Sequence, residues 1–262
     1  MVEKNDIEIE YGVQLMRLMP IEYKGITLYP VTCEKIHMFS AAVYSLLYDP
    51  LRHPLPISTL PRLYFLTDCI NHQNDGEYIN AHPDLINLWT QLTVLLSLVL
   101  KEQKFNFVDV GNGRWALIVY KQITDTETQE IIIRAKDFEK MRKIILHQNA
   151  VDYDDTFVHE DIRQWIEEQE KAEKTKPATI EDYYEAYMIS LNAWNAWDVT
   201  TFDSMPLRRF YRVVDKILNR ENYNIQMTAS MSGLVSFKGE ITHWMTTNKK
   251  NSIYEKYFKE LN

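Results

Sequence analysis

Phe105-Asn-Phe-Val-Asp-Val110, Gly111-Asn112-Gly113 and Trp115-Ala-Leu-Ile-Val-Tyr120 together decide the fold class. Two runs rich in β-branched and aromatic residues flank a tripeptide that tolerates left-handed backbone, so the stretch predicts two antiparallel strands and a tight turn. A third run, Glu130-Ile-Ile-Ile-Arg134, follows the polar connection 125–129. The expectation is a three-stranded antiparallel meander over about 105–134. The tripeptide also begins a partial dinucleotide fingerprint. However, the third glycine is missing, and the residues that follow read as strand where a phosphate site needs a helix N-terminus.

Outside this stretch the apolar residues recur at helical spacing. Ile36, Phe39, Ala42, Val43, Leu46 and Leu47 form one stripe over 33–48, ended by Asp49-Pro50. Ser58 or Thr59 can cap a helix running to about His72, and the polar residues Asn71–Asn80 read as a loop. Pro83 suits the first turn of a long helix ending near Lys104. Its apolar stretch Leu88–Leu100 falls short of the roughly 20 residues that span a bilayer. Before these helices, Tyr23, Ile26, Leu28 and Tyr29 flank Lys24-Gly25, which predicts a small hairpin.

After the meander, Phe138, Met141, Ile144 and Ile145 begin a helical second half. Further helices are expected at about 158–174, 179–196, 205–221, 222–231, 239–246 and 252–261. The fold class read from this pattern is α+β: mostly helical, with the small meander and an N-terminal hairpin. The division expected from the change of period is 1–134 and 135–262.

The chain has 262 residues, enough to bury a core without metals or disulfides. Its net charge of −8 disfavours general nucleic-acid binding, and 7 glycines leave little material for phosphate loops. Cys33 and Cys69 show no CxxC spacing and read as reduced, buried thiols. Met1–Glu10 is charged and has no apolar signal core.

The candidate sites are few. Asp152, Asp154, Asp155 and His159, with Glu160 and Asp161, group hard oxygen ligands with one imidazole and can be read as a metal or acidic contact. They fail the calcium-loop pattern, and a solvated loop capping a helix accounts for them equally. Cys33 and His37, four apart, would share a helix face, but nothing nearby offers an oxyanion site. Arg208, Arg209 and Arg212 flank an apolar stripe of Leu207, Phe210, Val214 and Ile217. Trp194, Trp197, Phe202 and Met205 form an aromatic cluster that belongs either to the core or, if exposed, to a protein-binding anchor. No HExxH, GxSxG or P-loop pattern occurs, so no catalytic residue is assigned and no cofactor is expected.

Three stretches carry a resemblance. The first is Pro20-Ile-x-Tyr23-x-Gly25-Ile-x-Leu-Tyr29-Pro30-Val31. The second is Phe138-x-x-Met-Arg-Lys-Ile-Ile-Leu-x-Gln148-Asn149, ahead of the acidic loop at Asp152. The third opens with Leu207-Arg-Arg-Phe210 and continues through Tyr223, Met231-Ser-Gly233-Leu-Val-Ser-Phe237-Lys238 and His243-Trp244-Met245. In this order they resemble tail assembly chaperones and baseplate assembly proteins of large tailed bacteriophages and prophages, over most of the chain. The resemblance implies a non-enzymatic factor in the host cytoplasm. Its expected partners are other tail or baseplate proteins, with self-association open and no membrane; nucleic acid is disfavoured, a patch of Arg208, Arg209 and Arg212 being the alternative that would bind it. A structural component retained in the virion fits the same pattern. A metal-dependent nucleic-acid enzyme built on the acidic cluster is a third, weaker alternative.

Overall fold

The computed structural model describes residues 3–50, 59–72, 75–122, 128–153, 155, 199–232, 237 and 241–245. It is α+β, with two small antiparallel sheets among helices. Two compact units are present: Met1–Val151 with Asp198–Phe210, and Asp152–Trp197 with Tyr211–Asn262.

The first unit opens with helix α1 (Glu3–Arg17), which kinks at Tyr11 (φ −119°, ψ 17°). The charged N-terminus conceals an inner face: Ile7, Tyr11 and Leu15, spaced four apart, are all buried. Strands β1 (Ile21–Tyr23) and β2 (Ile26–Leu28) form the expected hairpin. Lys24 (φ 49°) and Gly25 (φ 89°) both take left-handed backbone, as a two-residue turn of this twist requires. A Cβ at 25 would also lie 3.3 Å from Cδ1 of Ile131, a tight approach that adds to the preference for glycine.

The stripe over 33–48 is helical but broken. It comprises a 3₁₀ turn (Cys33–Lys35), α2 (Ile36–Ala42) and α3 (Tyr44–Leu47). Helix α4 (Arg62–Thr67) continues as a 3₁₀ turn to His72. The loop expected over 71–80 is partly a helix, α5 (Gly76–Ala81). Its polar sequence hides the signal, but the Asp75 carboxylate caps it by accepting from the Tyr78 amide at 3.0 Å. Helix α6 (Pro83–Leu100) starts at the proline as expected. By length and composition it could cross a membrane. Here Leu85, Leu88, Leu92, Leu95, Leu96, Val99 and Leu100 are buried, and the helix packs on α2, α3, α4 and β2.

The meander forms as predicted, with β3 (Lys104–Asp109), β4 (Trp115–Gln122) and β5 (Thr128–Ile133) in the order β3-β4-β5. Gly111, Asn112 and Gly113 all have positive φ. The partial fingerprint is therefore a strand-to-strand turn. Asn71 buttresses it, donating to the Gly113 carbonyl at 2.8 Å and accepting from the Trp115 indole at 2.7 Å.

Helix α7 (Ala135–Gln148) packs on α1 and α4. Ala150 closes it in left-handed backbone (φ 57°): the Ala150 amide donates to the His147 carbonyl and the Val151 amide to the Leu146 carbonyl, a Schellman closure. Arg142, almost fully buried, donates to the Leu46 carbonyl at 3.2 Å and pairs with Glu139 at 3.0 Å. The compact division therefore falls after α7, at 151, and not at 134 where the period changes.

Helix α8 (Val199–Ser204) returns to the first unit and packs on the turn Cys33–Lys35. Helix α9 (Leu207–Met231) is continuous, where two helices were expected. Its first four residues belong to the first unit and the remainder to the second. Within the second unit, Lys216 donates to the Met245 carbonyl at 3.2 Å, and Tyr223 meets His243 edge-on at 5.2 Å. Residues 241–245 are not helical. The helices expected over 158–174, 179–196 and 252–261 lie outside the described residues.

Candidate interaction surface

The first two stretches that carry the resemblance and the opening of the third, at Leu207, meet in one buried junction of the first unit. Val31 is its centre. The Val31 amide donates to Asn149 Oδ1 at 2.8 Å, and its carbonyl accepts from the Leu207 amide at 2.8 Å. Gln148 Nε2 donates to the Leu28 carbonyl at 3.0 Å and the Met19 carbonyl at 3.2 Å, tying the end of α7 to the hairpin. Asn149 Nδ2 also donates to the Ile145 carbonyl at 2.9 Å. Thr32 bridges Pro206, and the Cys33 amide donates to the Met205 carbonyl at 2.8 Å. Asn149 is fully buried, so these bonds replace water that cannot reach the backbone. The motif residues at this junction thus hold the unit together.

The aromatic cluster divides. Phe202 and Met205 are buried at this junction, with the Phe202 ring edge-on to Phe210 at 5.5 Å, so they are core residues of the first unit. Trp194 and Trp197 lie outside the described residues. Arg208 donates to the His147 carbonyl and lies 3.9 Å from Glu8, a structural role, while Arg209 and Arg212 are exposed. Leu207, Phe210 and Val214 are buried as the stripe predicts, while Ile217 is only half-buried.

Of the acidic cluster, Asp152 and Asp155 are exposed and Tyr153 between them is buried. Asp154, His159, Glu160 and Asp161 lie outside the described residues. Among the described residues no group of three or more potential ligands has metal-site spacing.

Cys33 and Cys69 are free and buried, while His37 is exposed. Burial pushes the Cys33 thiol up to about 12, aided by Asp203, and the Cys69 thiol up to about 11, aided by Asp68. Both stay protonated near neutrality. Native protein at pH 8 is therefore expected to react with iodoacetamide roughly a hundredfold more slowly than the denatured chain, read by mass spectrometry. Equal rates would show that these thiols are not enclosed.

The sheet has two unlike faces. Phe105, Phe107, Leu117, Val119, Ile131 and Ile133 share the inner one, where Phe107 meets Trp89 of α6 edge-on at 4.5 Å. The other face carries Asn106, Val108, Ile118, Tyr120, Ile132 and the charged pair Lys104 and Glu130, set on either side of Tyr120 by the strand register. Val108 is 36 % exposed and Ile132 46 %, while Ala116 and Ile118 of the central strand, on the same face, are buried. Lys104, Asn106, Tyr120, Thr128 and Glu130 line an open depression of about 510 Å³ there. Alternation in β3 and β5 could have revealed this face, because Val108 and Ile132 fall out of phase with the inward set.

Comparison with protein-family models, with curated proteins and with solved structures returns no match.

Proposed function

We propose that this chain is a non-enzymatic assembly factor for the tail or baseplate of a large tailed bacteriophage, which grips another tail polypeptide through the partly exposed outer face of its β3-β4-β5 sheet. The setting comes from the resemblance of the three motif stretches. The gripping surface comes from one observation: on the face that carries Tyr120, with Lys104 and Glu130 on either side of it, Ile132 stands exposed opposite Ile118 and Val108 stands exposed opposite Ala116. Exposed apolar side chains beside charged and polar ones are what a specific protein contact uses. Two edge strands, β3 and β5, offer additional backbone groups to a partner.

The test is affinity capture with the full chain from infected or prophage-induced cells, followed by mass spectrometry. The expected result is recovery of tail or baseplate proteins, lost with Val108→Asp/Ile132→Asp. Both positions are exposed, so this variant should keep its thermal midpoint within a few degrees. Recovery of no tail protein, or undiminished recovery by the folded variant, overturns the proposal. Stoichiometric presence in purified particles would replace an assembly factor with a structural virion component.

A further inference from the structure

Strand β5 is an open edge of the meander, paired on one side only, with β4. The Val110 amide donates to the Arg114 carbonyl at 2.8 Å, which fixes the phase of the β3–β4 ladder. Backbone groups alternate sides along a strand. Ala116, Ile118 and Tyr120 therefore bond β3, while Leu117, Val119 and Lys121 bond Ile133, Ile131 and Gln129 of β5. The amides and carbonyls of Glu130 and Ile132 point away from the sheet. No backbone group among the described residues meets them.

The opposite edge is partly blunted. In β3 the outward amide of Phe107 is taken by Asn106 Oδ1 at 2.8 Å. Strand β5 has no such device. Thr128-Gln-Glu-Ile-Ile-Ile133 contains neither proline nor glycine, and its register with β4 runs without a bulge. An unpaired edge of this kind is a template for another strand.

The side chains select which strand fits. Glu130, Ile132 and Arg134 alternate onto the outer face, and all three are exposed. Arg134 continues the extended course of β5 (φ −85°, ψ 170°). At roughly 3.3 Å per residue the two charges stand about 13 Å apart, too far to neutralise each other. Neither has an ion pair among the described residues. Acid, isoleucine and base at alternate positions form a pattern that is its own complement when read antiparallel. We infer that two copies of this chain pair antiparallel along β5, with Ile132 opposite Ile132 and Glu130 of each copy opposite Arg134 of the other.

In that register the two Ile132 residues exchange backbone bonds, and each Arg134 amide donates to the opposing Glu130 carbonyl. The Arg134 carbonyl is already engaged, accepting from the Phe138 amide of α7 at 2.8 Å. Ile118 lies beside Ile132 in the sheet. An apolar row then runs from Ile118 of one copy, through both Ile132 side chains, to Ile118 of the other. Sliding one copy by two residues would set Glu130 or Arg134 against Ile132, and a parallel in-register pair would align like charges. The twofold pair also joins two outer faces into one surface. So small an interface points to dissociation in roughly the tens-of-micromolar range.

Sedimentation equilibrium on the pure full-length chain tests this across a concentration series. It needs no tail protein, so it stands or falls apart from the assembly reading. Wild type is expected to pass from monomer to dimer. Ile132→Pro should weaken association about tenfold or more. It removes only an outward amide, which an edge strand tolerates, so the circular dichroism spectrum should be unchanged. Glu130→Arg and Arg134→Glu alone should each weaken the dimer roughly threefold to tenfold, and together restore it. These exposed positions decide the matter should the proline variant fail to fold. A chain that stays monomeric at a few hundred micromolar overturns the inference. So does a dimer indifferent to a folded Ile132→Pro, or a double charge exchange that fails to rescue.

Discussion

Phe210→Ala is expected to lower the unfolding free energy by about 3–5 kcal/mol, the usual cost of removing a fully enclosed phenyl ring. Phe210 has no exposed surface and meets Phe202 edge-on at 82°. It anchors the returning segment beside the amide and carbonyl that Leu207 and Met205 share with Val31 and Cys33. For a unit of this size the thermal midpoint should fall by roughly 10 °C. Amide exchange at Cys33 and Leu207 should accelerate before that of α6, because these bonds depend on the segment staying docked. A drop of under two degrees, or uniform acceleration across the first unit, would contradict the packing described here.

Asn149→Leu should cost about 2–3 kcal/mol. The two side chains are similar in volume, so little of this comes from a cavity. The loss comes from the Val31 amide, which gives up its acceptor at 2.8 Å in a site with no route to water. Gln148→Leu provides a comparison. It removes donors to the Leu28 and Met19 carbonyls, and a carbonyl tolerates a missing partner better than a buried amide does. The expected order of midpoints is therefore wild type, Gln148→Leu, Asn149→Leu. Equal midpoints for wild type and Asn149→Leu would show that the amide of Val31 finds another partner.

Much of this architecture was legible before any coordinates. The hairpin and the meander announce themselves because their turns, Lys24-Gly25 and Gly111-Asn112-Gly113, require residues that accept positive φ. Helix α6 was legible from its proline and its leucines. Helix α1 was hidden by its charge, although Ile7, Tyr11 and Leu15 carry the period. Helix α5 was hidden because it is held by the Asp75 cap and by contacts of Tyr78 with Asp68, His72 and His82 rather than by an apolar stripe. The unit boundary was misplaced because a change of period marks a change of element, and α7 packs back on α1 and α4. Local pattern has no access to the pairing of Thr32 with Pro206, 174 positions apart, which draws residues 198–210 home.

The same pattern missed the sheet face. Val108 and Ile132 look like ordinary strand residues until register shows them on one side with Tyr120. It also assigned Phe202 and Met205 jointly to core or anchor, and only their burial separates the two. Nothing local distinguishes an aromatic that fills a junction from one that waits for a partner.

The discontinuity of the first unit has a consequence for biosynthesis. A ribosome translating this message will have released α1 through α7 long before Leu207 and Phe210 leave the exit tunnel. Until then the Cys33 amide and the Val31 carbonyl face an open seam. The nascent polypeptide must wait, incompletely sealed, while the intervening residues are made, and a truncated product ending at Val151 would inherit that seam permanently.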